Sequence, residues 1–265
     1  MTRIRLDVLL VDRGLAPTRS KAQALVLAGL VTTGERRLDK PGEMVAADLP
    51  LAVGPGRRHV GRGAGKLAPA LLRFGVDVRD RRTVDVGAST GGFTEVLLEA
   101  GASSVIALDV GRGQLDWSLR NDPRVVVMEG VNARYLAPPD LPYAPSLAVV
   151  DVSFISLRQV LPSLIPCLAP EADVVALIKP QFEVGRGRVG KGGVVRDPSL
   201  WDEVLLAFVT FAEERGFGTR ALARSALPGA TGNVEFFAHL KPGAAPLSPA
   251  ALDAARREAI DAPRP

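Results

Sequence analysis

Along this chain, short unbroken apolar runs alternate with longer segments whose apolar residues recur every three or four positions. The runs near 83–87, 104–109, 124–129, 147–151, 173–178, 219–226 and 233–240 read as strands. The periodic segments near 92–100, 113–120, 157–168 and 199–215 read as helices. Leu147-Ala148-Val149-Val150 and Val174-Val175-Ala176-Leu177-Ile178 are apolar without alternation, which suits parallel strands covered on both faces. Seven strands with interleaved helices predict a doubly wound, Rossmann-like α/β domain whose ligands sit at the carboxyl strand ends. An amphipathic helix through Leu67, Leu71, Leu72 and Phe74 leads into it.

The first fifty residues carry a different pattern. Leu6, Leu9 and Leu10 recur at helical spacing up to Gly14. Thr18 is placed to cap a second helix whose apolar face is Ala22, Leu25 and Val26, and Gly29 is placed to stop it. Leu30-Val31-Thr32 and Leu49 to Val53 read as short strands, giving a small α+β module of marginal core size. The expected domains are therefore 1–54 for this module, 55–62 for a Gly/Pro/Arg linker and 63–245 for the α/β domain. A tail at 246–265 follows, with a short helix near 250–260.

Composition narrows the setting. No apolar run reaches the roughly 18 residues of a membrane helix, and the N-terminus lacks the apolar core of a signal peptide. The one cysteine, Cys167, excludes an intramolecular disulfide and sits among apolar neighbours. These features predict a cytoplasmic protein with no membrane partner. The net charge of +4 is unevenly spread: residues 1–62 hold 11 Lys/Arg against 6 Asp/Glu, and the remainder is near neutral. A polyanion would be met at the N-terminal module, although solvated basic faces share this signature.

The chemistry gathers where strands stop. After the run Thr83–Val86 comes the turn Gly87-Ala88-Ser89-Thr90-Gly91-Gly92, then a helix with Phe93, Val96, Leu97 and Ala100 on one face. A strand feeding a glycine-rich turn at a helix N-terminus lets free amides and a close backbone meet a nucleotide-type cofactor. The spacing matches neither the dinucleotide fingerprint nor the phosphate loop, which leaves S-adenosylmethionine as the leading candidate. Asp85, Gly87, Ala88, Ser89, Gly91, Gly92 and Phe93 are its expected turn residues. Asp109, 22 residues past Gly87, is placed to accept ribose hydroxyls or to cap a helix, and Asn132 to meet an adenine edge or hold a turn.

Asp151 and Lys179 directly follow buried apolar runs, where an isolated charge is costly and opposite charges can serve each other. Glu235 opens the seventh candidate strand, and Lys66 lies in the glycine-rich lead-in. These residues form either a reaction centre or a structural ion-pair network.

Five motifs then carry a resemblance. They are Asp-Val-Gly-Ala-Ser-Thr-Gly-Gly-Phe-Thr at 85–94, Ala-Leu-Asp-Val-Gly-x-Gly-Gln-Leu at 107–115, Asp-Val-Ser-Phe-Ile-Ser-Leu at 151–157, Ile-Lys-Pro-Gln-Phe-Glu at 178–183 and Gly-Gly-Val-Val-Arg-Asp-Pro at 192–198. Together they resemble the TlyA/hemolysin A family, rRNA ribose 2′-O-methyltransferases with an FtsJ-like domain. Arg-Leu-Asp-Val-Leu-Leu at 5–10 and Thr-Arg-Ser-Lys-Ala at 18–22 resemble the RNA-binding module of ribosomal protein S4. The resemblance covers nearly the whole chain. It departs before Lys66, where Gly61-Arg62-Gly63-Ala64-Gly65 stands in place of the family's Ser-Arg-Gly-Gly.

The resemblance implies a Lys-Asp-Lys-Glu tetrad at Lys66, Asp151, Lys179 and Glu235, with Asp151 also at the cofactor. It implies a cytidine 2′-hydroxyl of 23S rRNA as acceptor and, from the N-terminal extension and longer tail, 16S rRNA as well. Ribosomal RNA or ribosomal subunits are then the partner, with no obligate protein partner and no metal. Lys179 would be the base or hydroxyl-orienting group, and Lys66 would add positive potential. Asp151 and Glu235 would hold the two lysines. Arg3, Arg5, Arg19, Lys21 and Arg62 are expected to meet RNA phosphates. Arg186, Arg188 and Lys191 would do so from a basic loop that is otherwise merely solvated. The rival readings are a small-molecule methyltransferase, an assembly factor with a vestigial pocket, and a pseudouridine synthase, which would not need the adenosine-binding turn.

Overall fold

A computed structural model describes residues 3–27, 30–34, 36–54, 59–185 and 187–262. The expected helix stop at Gly29, linker residues 55–58 and Arg186 lie outside the described residues. The chain divides into two units, Met1–His59 and Val60–Pro265.

In the first unit, β1 (Arg3–Arg5) enters α1 (Leu6–Asp12), and α2 (Arg19–Leu27) follows a turn through Gly14. Thr18 Oγ1 accepts the Lys21 amide, so Thr18 caps α2 as its position suggested. β2 (Val31–Thr33) pairs with both β3 (Arg36–Arg37) and β5 (Ala52–Val53), and β1 pairs with β4 (Met44–Ala46), all antiparallel. Three of these strands had no apolar run to announce them, because two- and three-residue edge strands expose most of their side chains. Leu6, Leu9, Leu10, Ala22, Val26, Val31, Leu38 and Val45 form the core. Asp7 is fully buried within it and accepts from Arg5, from Arg19 (3.0 Å) and from Gln23 (2.8 Å).

The second unit opens with α3 (Ala64–Phe74), ended by Gly75 in the left-handed conformation that favours glycine. Then come β6 (Arg82–Val86), α4 (Gly92–Glu99), β7 (Ser104–Asp109), α5 (Trp117–Arg120), β8 (Val125–Glu129), β9 (Leu147–Val150) and α6 (Leu157–Leu164). The chain continues through β10 (Asp173–Ile178), α7 (Pro180–Glu183), α8 (Pro198–Glu213), β11 (Phe217–Arg224), β12 (Phe236–Pro242) and α9 (Pro249–Asp261). The expected helix at 113–120 shortens to α5, since the Gln114 and Leu115 amides bond the Glu129 carboxylate and the Asp116 carboxylate caps the helix.

One sheet of seven strands runs β11-β12-β10-β9-β6-β7-β8. The chain moves outward from central β6 to β7 and β8, then returns to β9 on the other side of β6. That reversal is the switch point where such folds bind ligands. Val84, Ile106, Val150 and Ala176 pack in one core layer, and Val105, Ala107, Val149 and Leu177 in the other, so both faces are covered. The sheet is mixed rather than all-parallel, because β12 runs antiparallel to both β10 and β11. Arg224 of β11 donates to the carbonyls of Ala259, Ile260 and Ala262, tying the end of α9 to the sheet.

Candidate active site

β6 and β9 come so close at their carboxyl ends that a Cβ on Gly87 would fall 2.3 Å from the Asp151 carbonyl oxygen. Gly87 also has φ +89°, so only glycine lets the strand turn here without strain. Gly91 has φ +98° and caps α4, and a Cβ there would strike Leu119. Ser89 takes φ +49° without being a glycine, held there as its amide donates 2.8 Å to Asp109 Oδ2. Asp109 Oδ1 accepts the Gly111 amide at 2.6 Å. One carboxylate thus ties the turn after β6 to the turn after β7.

Beside this turn lies a cavity of about 350 Å³ lined by Gly87, Ser89, Asp109, Gln114, Asn132, Asp151, Ser153 and Phe154, among others. Its volume falls within the roughly 300–1,000 Å³ of small-molecule sites. Ala88, Gly92 and Phe93 line an adjoining space of about 200 Å³ with Arg62, Gly63 and Asp151. Gly91 and Asp85 line neither. Asn132 reaches the larger cavity, with its Oδ1 accepting the Arg134 amide. Asp85 is fully buried beneath α4, where it accepts from Thr94 Oγ1 at 2.7 Å. Burial, against the pull of Thr94 and with help from Asp151 and Asp109, pushes its carboxyl up to about 7.

Two ion pairs stand at the sheet rim. Lys179 Nζ lies 2.6 Å from Asp151 Oδ1 and donates to Ser153 Oγ at 2.8 Å. Lys66 Nζ lies 2.7 Å from Glu235 Oε2. No side chain of the four is more than 20% exposed. The strand pairings explain the convergence. Val86 faces Val150 across β6 and β9, so Gly87 and Asp151 leave the sheet together. Ile178 faces Phe236 across β10 and β12, so Lys179 and Glu235 emerge side by side. Lys66 joins from α3, whose preceding residue Gly63 shares the smaller cavity with Asp151.

Sequence patterning left Ser153 and Phe154 unassigned. Phe154 holds φ +64° and is 92% exposed at the cavity mouth, its ring 5.2 Å from that of Phe182, over which Lys179 Nζ sits at 5.9 Å. A strained, solvated aromatic beside a buried ion pair is a signal that only geometry carries.

The expected RNA contacts divide. Arg3, Lys21, Arg62 and Lys191 are exposed, with Arg62 also donating to the Pro228 carbonyl. Arg5 and Arg19 are half exposed but turned onto Asp7. Arg188 is forked onto Glu203 by two hydrogen bonds of 2.5 and 2.6 Å.

Comparison with known proteins sharpens the picture. Residues 59–242 match the FtsJ-like methyltransferase family and residues 4–49 the S4 domain. The 16S/23S rRNA (cytidine-2′-O)-methyltransferase TlyA of Mycobacterium tuberculosis is 51% identical over 241 residues, 90% of each chain. Hemolysin A of Brachyspira hyodysenteriae is 39% identical over 237 residues, 89% of this chain and 99% of its own. A solved structure of a protein described as a hemolysin, from Streptococcus thermophilus, superposes with TM-score 0.75 at 44% identity, covering 98% of this chain and 97% of that one.

Proposed function

Because this chain belongs to the FtsJ-like methyltransferase family, we propose that it methylates the ribose 2′-hydroxyl of cytidine in ribosomal RNA, 23S and 16S, using S-adenosylmethionine. The observation that carries this reading is the Asp151–Lys179 pair standing at the lip of a cavity built on the glycine turn.

The residues fit the cofactor. Gly87 allows the close backbone approach that a nucleoside needs, and Asp109 is placed for ribose hydroxyls at the end of the neighbouring strand. When bound, S-adenosylmethionine supplies an activated methyl group on a positively charged sulfur.

The chain's own task is then to seat the acceptor and take its proton. Lys179 orients the 2′-hydroxyl or accepts its proton. With Asp151 Oδ1 2.6 Å away, the pair can act together, Nζ taking a proton from the hydroxyl as it passes one to the carboxylate. Ser153 fixes Nζ from a second direction. Lys66, held by Glu235, adds positive potential where alkoxide character develops. Phe154 offers an exposed ring on which an unstacked base can rest. Positioning supplies much of the acceleration.

The N-terminal unit brings the RNA through exposed Arg3 and Lys21, with phosphate neutralisation as the driving term. Among the described residues no helix is long and apolar enough to cross a membrane. A ribosomal RNA substrate would put the reaction in the cytoplasm.

The test is transfer of labelled methyl groups to intact ribosomal subunits, with the modified nucleotide mapped. Wild type should label a cytidine 2′-oxygen. Lys179→Ala should lose about a hundredfold or more in rate while binding S-adenosylmethionine within about threefold of wild type. A Lys179→Ala rate within threefold of wild type refutes the assignment.

A further inference from the structure

Three carboxylates stand on three neighbouring strands: Asp109 at the end of β7, Asp85 inside β6 and Asp151 after β9. Each meets a different fate. Asp109 receives two backbone amides and Asp151 an ammonium group. Asp85 receives the hydroxyl and the backbone amide of Thr94 but no cation, and its Oδ1 has no close hydrogen-bond partner among the described residues. Its sheet neighbours in register are Ala107 and Val149, which offer no charge. The charges that act on it are those of Asp151, which Lys179 already engages, and of Asp109. An ionised Asp85 would be a fully buried anion between two others, with no cation of its own. Val86 and Gly87, which directly follow it, line the cofactor cavity.

We propose that Asp85 is the residue that tells the sulfonium cofactor from its neutral thioether product: it keeps its proton in the free protein and releases it when the positively charged cofactor binds. The proposal rests on the cofactor reading above. S-Adenosylmethionine and S-adenosylhomocysteine share adenosine, amino and carboxylate groups and differ by the methyl group and the positive charge. Both ligands carry the α-ammonium group, so the sulfonium charge alone differs between them; Asp85 lines neither cavity and would feel that charge across Val86 and Gly87, which line the larger one. Binding the cofactor sends one proton from Asp85 to solvent. Methyl transfer removes the positive charge and the hydroxyl proton departs, while Asp85 takes a proton back, which loosens the hold on the product. Burial sets this carboxyl at about 7, so the exchange falls at neutral pH. Thr94 modulates it, since its hydroxyl favours the ionised form.

The experiment is isothermal titration of the full chain with each ligand separately, in buffers of different ionisation enthalpy, at pH 6, 7 and 8. At pH 6, S-adenosylmethionine should release about one proton more than S-adenosylhomocysteine does, and at pH 8 almost none. Its affinity relative to the product should rise roughly fivefold from pH 6 to pH 7 and about twofold more by pH 8. Asp85→Asn, an uncharged isostere, should abolish the difference in proton release and flatten the pH dependence. A carboxyl-carbon NMR titration of Asp85 in the wild-type protein, free and with each ligand, reads the same protonation without any variant. Equal proton release for the two ligands, or an unaltered difference in Asp85→Asn, overturns the proposal and leaves the cofactor reading standing. If neither ligand binds, the cofactor reading fails and this proposal with it.

Discussion

The Lys66–Glu235 pair offers the sharpest separation of a scaffold from a reaction centre. Its atoms are 2.7 Å apart, and the side chains are 10% and 3% exposed. At an effective dielectric near 20 the attraction is about 6 kcal/mol, offset by a desolvation cost of several kcal/mol for each ion. The net value of the intact pair against a well-packed apolar pair is therefore close to zero. The cost of removing one partner is not, because it strands a buried charge: about 3–5 kcal/mol. Glu235→Leu and Lys66→Met should each lower stability by that amount, and the double variant should recover to within about 1–2 kcal/mol of the parent. Tryptophan fluorescence during urea unfolding is the assay. The chain's two tryptophans, Trp117 and Trp201, both lie in the second unit, so the signal reports the unit that holds the pair. Methyl transfer measured on the same samples should stay lost in the stable double variant. Single variants that each cost under about 1 kcal/mol would mean that the pair is not desolvated. A double variant that methylates at the parental rate would reduce the pair to scaffold and remove Lys66 from the chemistry.

Further outcomes follow from groups outside the rim. Lys21→Ala should lower the slope of RNA affinity against salt by about 0.7–0.9 with little loss of stability, whereas Arg19→Ala should also loosen the first unit, since buried Asp7 loses a donor. Filter binding across a potassium chloride series reads the slope, and an unchanged slope for Lys21→Ala counts against the N-terminal contact. At the opposite edge of the sheet, burial disfavours the Asp173 anion, but hydrogen bonds from His239 and Arg81 prevail and hold its carboxyl at about 2. Its folded value lies below the ordinary 3.8, so its stabilisation is full above pH 3.8 and fades as pH falls towards 2. Asp173→Asn should accordingly destabilise at pH 7 and much less at pH 2 in urea titrations. An equal loss at both pH values refutes the linkage.

Much of this was legible from one dimension, and the gaps have physical causes. Buried strands announce themselves because continuous apolar runs of four to six residues have few other uses, and so the seven strands of the large sheet fell near their expected places. Three of the first unit's strands did not, since edge pairs such as Arg3–Arg5 with Met44–Ala46 bury too little to leave a pattern. Charge composition placed a basic excess in that unit, but it could not show that Arg5 and Arg19 share one buried acid, because Asp7 looks like any helix acid until its surroundings close over it. Phe154 read as one more apolar residue in Asp-Val-Ser-Phe. Its positive φ turns it to solvent, and no periodicity encodes that.

Glu235 is the most instructive position. It precedes its strand, whereas Asp151 and Lys179 follow theirs. In an all-parallel sheet a residue before a strand lies at the amino edge, far from any residue that follows one. Glu235 reaches the carboxyl rim only because β12 is reversed. Apolar runs carry no direction, but the connection does. Between β11 and β12 the chain has only residues 225–235, broken by Pro228-Gly229 and Thr231-Gly232, too short and too turn-rich for the helical crossover that parallel strands require. Counting that loop would have turned the strand. The reversal then matters to chemistry, because it sets a second buried carboxylate beside Lys179 without another parallel strand. The glutamate can hold Lys66 from one side while Asp151 holds Lys179 from the other. Four charges on three strands and one helix can share a rim only with this one strand running backwards.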